Sequence, residues 1–164
     1  MSPFRFRPSV TVAAIIEQAG RYLLVEEETP EGLRLNNPAG HLEQGETLIE
    51  AVVREVMEET AHPFEVEALV GVYLSRFQRP ASGEDITYLR MAFCGRVGAP
   101  VPQRALDQGI VRLAWLSLQE VRDSRSRHRS PLVLQCIEDH RRGQRHPTSL
   151  LHADSSLKTP EIKG

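Results

Sequence analysis

The chain has 164 residues, which fits one domain built around a single hydrophobic core. Hydrophobic residues make up 40% and charged residues 26% of the sequence, as in soluble globular proteins, and the net charge of −2 excludes a general attraction to nucleic acid or anionic membranes. Cys94 and Cys136 are far apart and lack Cys-x-x-Cys spacing, which argues against a disulfide framework and a zinc site. No apolar run is long enough to span a bilayer and residues 1–8 lack the apolar core of a signal peptide, so we expect a cytoplasmic protein.

Residues 10–16 and 22–25 predict a β-hairpin near the start of the chain. Both segments are rich in apolar and β-branched residues, and residues 18–20 between them suit a turn. Residues 38–40 then end a short loop. We expect this hairpin to begin a sheet.

A helix is predicted to begin at about Leu48. Thr47 matches an N-cap, and Glu50 three residues later completes a capping box. Pro63 stops the helical pattern soon after Thr60. One face should be buried, because apolar residues follow the i, i+3, i+4, i+7 spacing at Ile49, Val52, Val53 and Val56.

Residues 66–77 and 86–97 predict a second, longer hairpin. Their composition is typical of strands, and the turn-forming residues 80–83 separate them. After a stretch interrupted by proline and glycine, residues 111–116 predict another strand. The sheet should therefore gain three more strands.

Two further helices are predicted in the last third of the chain. Ser117 caps a short helix that runs through Val121, and residues 131–142 form a longer one that begins at a proline. We assign residues 1–152 to one domain and the polar, aperiodic residues 153–164 to a flexible tail. Helices interspersed among hairpin-linked strands predict an α/β sandwich with a mixed sheet.

The first predicted helix carries three carboxylates at i, i+3 and i+4, which are Glu55, Glu58 and Glu59. This spacing brings all three to one face, where they repel one another unless a cation lies between them. Mg²⁺ prefers oxygen ligands and keeps substrate phosphates in its remaining positions. The alternative interpretation is a solvated acidic face with no ligand.

The spacing around this helix resembles the Nudix box. From Gly40, five residues precede Glu46 and seven more precede Arg54-Glu55, and Glu58-Glu59 completes the acidic positions. At average composition, five fixed charged positions match by chance at roughly one start in a million. The resemblance implies the Nudix α/β/α sandwich with a mixed sheet, and a hydrolase that cleaves phosphoanhydride bonds.

The resemblance also implies a role for each box position. Glu58 and Glu59 are expected as the principal metal ligands, with the Gly40 carbonyl as a further ligand. Glu55 is expected as a ligand or base, and Arg54 as the group that orients it. The implied catalytic set is Glu55, Arg54 and Glu58, and the implied cofactor is Mg²⁺, with Mn²⁺ as the alternative. Such ions neutralise phosphate oxygens and activate water.

Two positions depart from the box, since Ala61 stands where the family has glycine and His62 where it has an aliphatic residue. Glycine suits a helix end at positive φ, where alanine costs about 1 kcal/mol or forces another ending. We therefore predict a slightly reshaped helix end, with Pro63 available to stop the helix. His62 is interpreted as a surface histidine without a role.

Within the family, four segments are similar to the NudJ-type phosphatases, namely residues 38–43, 88–90, 129–133 and 143–145. This likeness implies removal of phosphate from nucleoside di- and triphosphates or from hydroxymethylpyrimidine diphosphate. Arg90, Arg129 and Arg145 are then the expected phosphate-binding residues, because a guanidinium matches phosphate oxygens. Each could equally be a surface arginine.

Other substrates and roles stay open at this point. A Nudix enzyme could act on ADP-ribose or capped RNA, and a nucleotide-binding sensor is a third possibility. We do not expect nucleic-acid binding, because the basic residues 122–129 lack interleaved aromatics and the chain is acidic overall. Phe77, Tyr88 and Trp115 could stack on a base or pack in the core.

The general base is not identified by the sequence. Four acids outside the box lie in or near predicted loops, namely Glu84, Asp85, Asp107 and Glu120. The number of metal ions and the oligomeric state are not indicated by any pattern.

Overall fold

The computed structural model describes residues 5–162. Residues 1–4 and 163–164, the outer ends of the predicted domain and tail, lie outside the described residues. The strands are β1 (Ser9–Gln18), β2 (Arg21–Thr29), β3 (Gly32–Asn36), β4 (Ala39–His41), β5 (Phe64–Arg79), β6 (Glu84–Val97) and β7 (Ile110–Ser117). The α-helices are α1 (Leu48–Thr60), α2 (Leu118–Asp123) and α3 (Leu132–Arg141).

The strands form one mixed sheet in which β1 is central. The main order is β3-β2-β1-β6-β5, with β4 also paired to β1 and β7 paired to β2. β1 and β6 run parallel, whereas β5 and β6 form a long antiparallel hairpin. The prediction of a mixed sheet is therefore confirmed.

β1 buries side chains on both faces, and this places helices on both sides of the sheet. Val12 and Ile16 join the core cluster that contains Val52 and Val56 of α1. Ile15 faces the other way, into the cluster that contains Ile137 of α3. An apolar run buried on both faces is typical of a central strand between two helical layers. The predicted α/β/α sandwich is thus confirmed.

Every predicted helix and strand is present, but β3 and β4 were not predicted. Residues 38–40 were expected to end a loop, and that expectation is wrong, since Gly40 lies within β4 and pairs with Val12 of β1. A strand of three residues is too short to show alternation, and its glycine argues locally against a strand. Pairing with β1 overrides that local preference.

Helix α1 begins and ends at the predicted residues. Thr47 and Glu50 form both hydrogen bonds of the capping box. Ala61 ends the helix in the left-handed conformation, with φ 58° and ψ 16°, so the prediction of a reshaped end is wrong. Neighbouring contacts hold this backbone, because the Ala61 carbonyl accepts from the Val101 N–H and the His62 ring contacts the Gly98 carbonyl at 2.8 Å.

The segment after residue 152 contains a 3₁₀ turn at Ser155–Lys158. Lys158 Nζ lies 2.7 Å from Glu50 Oε2, at the start of α1. Flexibility of residues 153–164 stays a prediction. Across residues 5–162, none of the helices has the length and apolar character needed to cross a bilayer.

Candidate metal and phosphate site

A cavity of about 840 Å³ is lined by residues of the sheet and of helix α1. Its walls are the β2–β3 hairpin, β4, α1, the outer half of the β5–β6 hairpin and the loop before β7. This volume is typical of pockets that hold small organic ligands. Side chains of strongly contrasting charge divide the cavity into distinct regions.

Three carboxylates meet in one region. Oxygens of Glu55, Glu58 and Asp107 all lie within 4.8 Å of one another. Helical spacing aligns the first two, and Asp107 arrives from the loop before β7, where its N–H donates to the Glu58 carbonyl at 2.9 Å. Of the four acids named outside the box, only Asp107 joins this group.

Glu59 lies in the same cavity but deeper. It is 7% exposed, and its Oε2 accepts a hydrogen bond from the Ala39 N–H at 3.0 Å. Burial raises the pKa of Glu59 to about 9, and the nearby carboxylates of Glu55, Glu27 and Asp107 act in the same direction. Burial is also the main cause that raises the pKa of Glu55. Carboxylates crowded in this way favour a cation among them.

Arg54 connects the acidic residues of the box. Its Nη1 donates to Glu55 Oε1 at 2.8 Å and to Glu58 Oε2 at 3.1 Å. Its Nη2 donates to Glu46 Oε1 at 2.7 Å and to the His41 carbonyl at 3.0 Å. The hydrogen bond to Glu46 is the main cause that raises the pKa of Arg54. Arg54 therefore holds the orientation of three carboxylates at once.

The donor set suits a magnesium-like ion. All the side chains offered are carboxylates, and Mg²⁺ prefers oxygen ligands. Gly40 leaves room for this arrangement, because a Cβ there would lie 2.0 Å from Cδ of Glu55. The four residues that the resemblance implied as ligands all line the cavity, and their oxygens suit the ion chemically. The group of three carboxylates within 4.8 Å of one another has Asp107 where the resemblance implied Glu59.

Arg90 is a buried cation on the wall of the cavity. It is 7% exposed and donates to Asn37 Oδ1 at 3.0 Å and Asn36 Oδ1 at 3.2 Å. Within residues 5–162, no carboxylate oxygen lies within 4.0 Å of its guanidinium. A buried charge without a counter-ion is costly, so this position favours an anionic ligand.

The other two predicted phosphate-binding arginines lie in different places. Arg129 borders the cavity, with Nη1 3.1 Å from Glu27 Oε1. Arg145 lies outside the cavity lining, where its Nη2 contacts His140 Nε2 at 2.7 Å. The structure thus places Arg90 and Arg129 in the cavity that the clustered carboxylates line, and Arg145 outside its lining.

Several basic residues in 122–129 are paired with acids. Arg122 binds Glu138, Arg127 binds Glu26, and Arg129 binds Glu27. These ion pairs neutralise part of the charge of the segment, and the expectation that it does not bind nucleic acid stays a prediction.

Phe77 and Tyr88 border the cavity, whereas Trp115 packs against the core cluster on the α1 side of the sheet. Of the remaining acids proposed as bases, Glu84 borders the cavity but pairs with Arg79, and Asp85 pairs with Arg76. Glu120 belongs to the capping box of α2.

Sequence reasoning did not single out Glu27, Asn36 or Asn37. Glu27 lies in β2 beside Glu59, and the two asparagines hold Arg90. The adjacent Asn36-Asn37 pair before a proline was a visible signal for polar contacts, but its partner 53 residues away was not visible.

Comparisons with known proteins agree on one family. The family model of the NUDIX domain matches residues 5–135. Phosphatase NudJ of Escherichia coli (strain K12) is 34% identical over 146 residues, which cover 89% of this chain and 92% of NudJ. A NUDIX hydrolase structure from Nitrosomonas europaea is 51% identical, with a TM-score of 0.81, and the match covers 90% of this chain and 98% of that one.

A more distant structure, the NUDIX domain of Shewanella oneidensis NrtR complexed with ADP ribose, is 18% identical with a TM-score of 0.65. That match covers 87% of this chain and 93% of the other, and it shows a shared fold alone. The family model and the closer relatives carry the assignment: the chain belongs to the Nudix family of hydrolases.

Proposed function

We propose that this hydrolase uses Mg²⁺ to remove the terminal phosphate from nucleoside di- and triphosphates or from hydroxymethylpyrimidine diphosphate. One observation carries the proposal. The carboxylates of Glu55, Glu58 and Asp107 share a cavity with the buried, unneutralised Arg90. A cation site beside an anion site is what phosphoanhydride hydrolysis requires. Similarity to a protein named as a phosphatase favours orthophosphate as the product.

The metal site would consist of Glu55, Glu58 and Glu59 with the Gly40 carbonyl. When bound, Mg²⁺ or Mn²⁺ neutralises phosphate oxygens and makes a nearby water more acidic. Arg54 keeps Glu55 and Glu58 in place through its two short hydrogen bonds. Glu59 is held by the Ala39 N–H, which orients one oxygen and leaves the other available.

The remaining chemistry is assigned to Arg90 and Asp107. Arg90 binds oxygens of the terminal phosphate and so positions its phosphorus for attack by water. Asp107 is the most exposed of the three clustered carboxylates, and its N–H donates to the Glu58 carbonyl, which keeps its side chain beside the metal site; there it accepts the proton of the attacking water. The anhydride bond then breaks, and the shortened nucleotide leaves with the bridging oxygen.

A substrate panel tests this function. The protein would be incubated with Mg²⁺ and with ADP, GTP, hydroxymethylpyrimidine diphosphate, ADP-ribose or capped RNA, and both the released orthophosphate and the nucleotide products would be measured. Glu58→Gln serves as the inactive variant. Glu67→Gln serves as the matched control, because Glu67 is an exposed acid of β5 that pairs with Arg96. We expect orthophosphate from the first three substrates, at rates that the control variant preserves.

Two results would contradict the proposal. Turnover of every substrate at the Glu58→Gln level would exclude the hydrolase activity. Cleavage confined to ADP-ribose or capped RNA would keep the reaction type and replace the substrate class. Loss of activity in EDTA, with recovery on adding Mg²⁺, is the expected behaviour of the metal site.

A further inference from the structure

The β5–β6 hairpin presents an ordered set of side chains to the cavity. Four cross-strand pairs follow one another outward on one face, namely Tyr73–Arg90, Ser75–Tyr88, Phe77–Ile86 and Arg79–Glu84. All of these residues except Tyr73 line the cavity. Because alternate residues of a strand share a face, this wall carries the cation of Arg90 at one end, the apolar Phe77–Ile86 pair further out, and the Arg79–Glu84 ion pair at the other end.

The Phe77–Ile86 pair forms an apolar patch in a wall that is otherwise polar. Phe77 is 37% exposed, and it borders the cavity and belongs to neither core cluster. The Arg79 guanidinium lies 5.0 Å from the centroid of its ring. Arg79 in turn donates to Glu31 Oε1 at 2.7 Å, on the facing β2–β3 hairpin. The ring is therefore held as part of the wall, although its burial contributes little to the core.

Nucleoside phosphates and hydroxymethylpyrimidine diphosphate differ in how far the ring lies from the terminal phosphate, and this difference can be compared with distances along β6. Ile86 lies four residues beyond Arg90, about 13 Å along a strand, and Tyr88 lies two residues beyond it, about 7 Å. A hydroxymethylpyrimidine ring follows its diphosphate after one methylene. A nucleobase follows after a methylene and a whole ribose, so it extends further from the same terminal phosphate.

We infer that the Phe77–Ile86 pair is the subsite for the base of a nucleoside phosphate whose terminal phosphate binds Arg90. The shorter hydroxymethylpyrimidine diphosphate ends at the Ser75–Tyr88 pair and does not reach Phe77. This inference rests on the proposed function for the position of the phosphate. It adds a specificity-determining residue that tells long substrates from short ones.

Binding tests the subsite without turnover. Titration calorimetry with Mg²⁺ would compare α,β-methylene-ADP with methylene diphosphonate, which has the same phosphate mimic but no base. Phe77→Ala should weaken the nucleotide analogue about tenfold or more, because an aromatic ring contributes that much to base stacking. Its affinity for methylene diphosphonate should stay within about twofold of the wild type. Phe77→Tyr should restore nucleotide binding.

Leu74→Ala is the matched control, because Leu74 is 70% exposed on the same strand and lies outside the cavity lining. It should change neither affinity. Equal weakening of both ligands by Phe77→Ala, or no change in either, would overturn the inference. Failure of the wild type to bind the nucleotide analogue more tightly than methylene diphosphonate would also overturn it.

Hydrolysis separates this inference from the proposed function. In Phe77→Ala, we expect KM for ADP to rise about tenfold with kcat preserved, and both constants for hydroxymethylpyrimidine diphosphate to stay unchanged. A wild type that binds the analogue as expected but hydrolyses nothing would contradict the proposed function alone. A wild type that hydrolyses ADP with no effect of Phe77→Ala on KM would contradict the subsite alone.

Discussion

A Cβ added to Gly40 would lie 2.0 Å from Cδ of Glu55, far inside the contact distance of two carbon atoms. We therefore expect Gly40→Ala to displace Glu55 and to reduce kcat about a hundredfold, because small misplacements of reacting groups have large effects on rate. Steady-state kinetics over a range of Mg²⁺ concentrations would measure this effect.

Gly98→Ala is the control for crowding at Gly40, since a Cβ there would lie 2.9 Å from Pro63 Cγ, away from the cavity. It should leave kcat unchanged. Full activity in Gly40→Ala would mean that Glu55 need not hold its observed position.

Arg90 and Arg145 should behave differently although the sequence suggested the same role for both. Arg90→Lys keeps the charge but loses the planar fork, so we expect inhibition by orthophosphate to weaken about tenfold and KM to rise. Arg145→Gln should change neither constant, because Arg145 contacts His140 and does not line the cavity. A larger effect at Arg145 than at Arg90 would reverse the assignment.

Asp107 is expected to be needed for the chemical step. Asp107→Asn keeps the size of the side chain but cannot accept a proton, so kcat should fall at least about a hundredfold with little change in KM. Asp85→Asn is the matched control, since Asp85 pairs with Arg76 on the exposed side of the hairpin. Equal rates in the two variants would exclude Asp107 as the base.

His140 should make stability depend on pH. Burial, assisted by the nearby Arg145 charge, lowers its pKa to about 4, whereas a histidine in an unfolded chain titrates near 6.5. Between these two pH values only the unfolded state gains the proton. The contribution of neutral His140 to the stability of the folded state is therefore complete above about pH 6.5 and is lost as the pH falls toward 4. Over this range the free energy of unfolding should fall by about 3 kcal/mol.

Urea unfolding at several pH values would test this dependence. The free energy of unfolding should fall less steeply between pH 6.5 and 4 in His140→Gln than in the wild type. His152→Gln, which changes an exposed histidine, should keep the wild-type slope. Identical slopes in His140→Gln and the wild type would show that another group controls the dependence.

Ala61 holds a left-handed conformation that glycine adopts without strain. Ala61→Gly should therefore raise the free energy of unfolding by roughly 0.5 to 1 kcal/mol, while Ala61→Val, with a branched Cβ, should lower it. Chemical denaturation would measure both. A loss of stability in Ala61→Gly would indicate that the packing of the buried Ala61 methyl outweighs the backbone strain.

Helix α1 and its acidic face could be predicted because both depend on short-range spacing. A capping box, an apolar stripe and carboxylates three and four residues apart determine one helix with two differently used faces. The long hairpin of β5 and β6 was equally accessible, since turn residues separate two β-rich segments. Strand β4 was not, because only its pairing with β1 makes it a strand.

The wider site depends on contacts between distant segments. Asp107 reaches Glu58 across a loop that has no periodic pattern, so it could be named as a candidate but not chosen over Glu84 or Asp85. Arg90 becomes a buried cation only because β6 lies parallel to β1 and brings it beside Asn37. Arg145 shows the opposite case: its short motif matched the family, but the side chain contacts His140 of α3 and does not line the cavity.

Arg79 connects the two hairpins that face each other across the mouth of the cavity, through Glu31 on one side and Glu84 on the other. All three side chains are at least a quarter exposed, so dissolved salt screens their attraction, whereas the apolar layers beneath are not screened. Ionic strength is therefore a variable that acts on the entrance for substrate separately from the sheet that supports it.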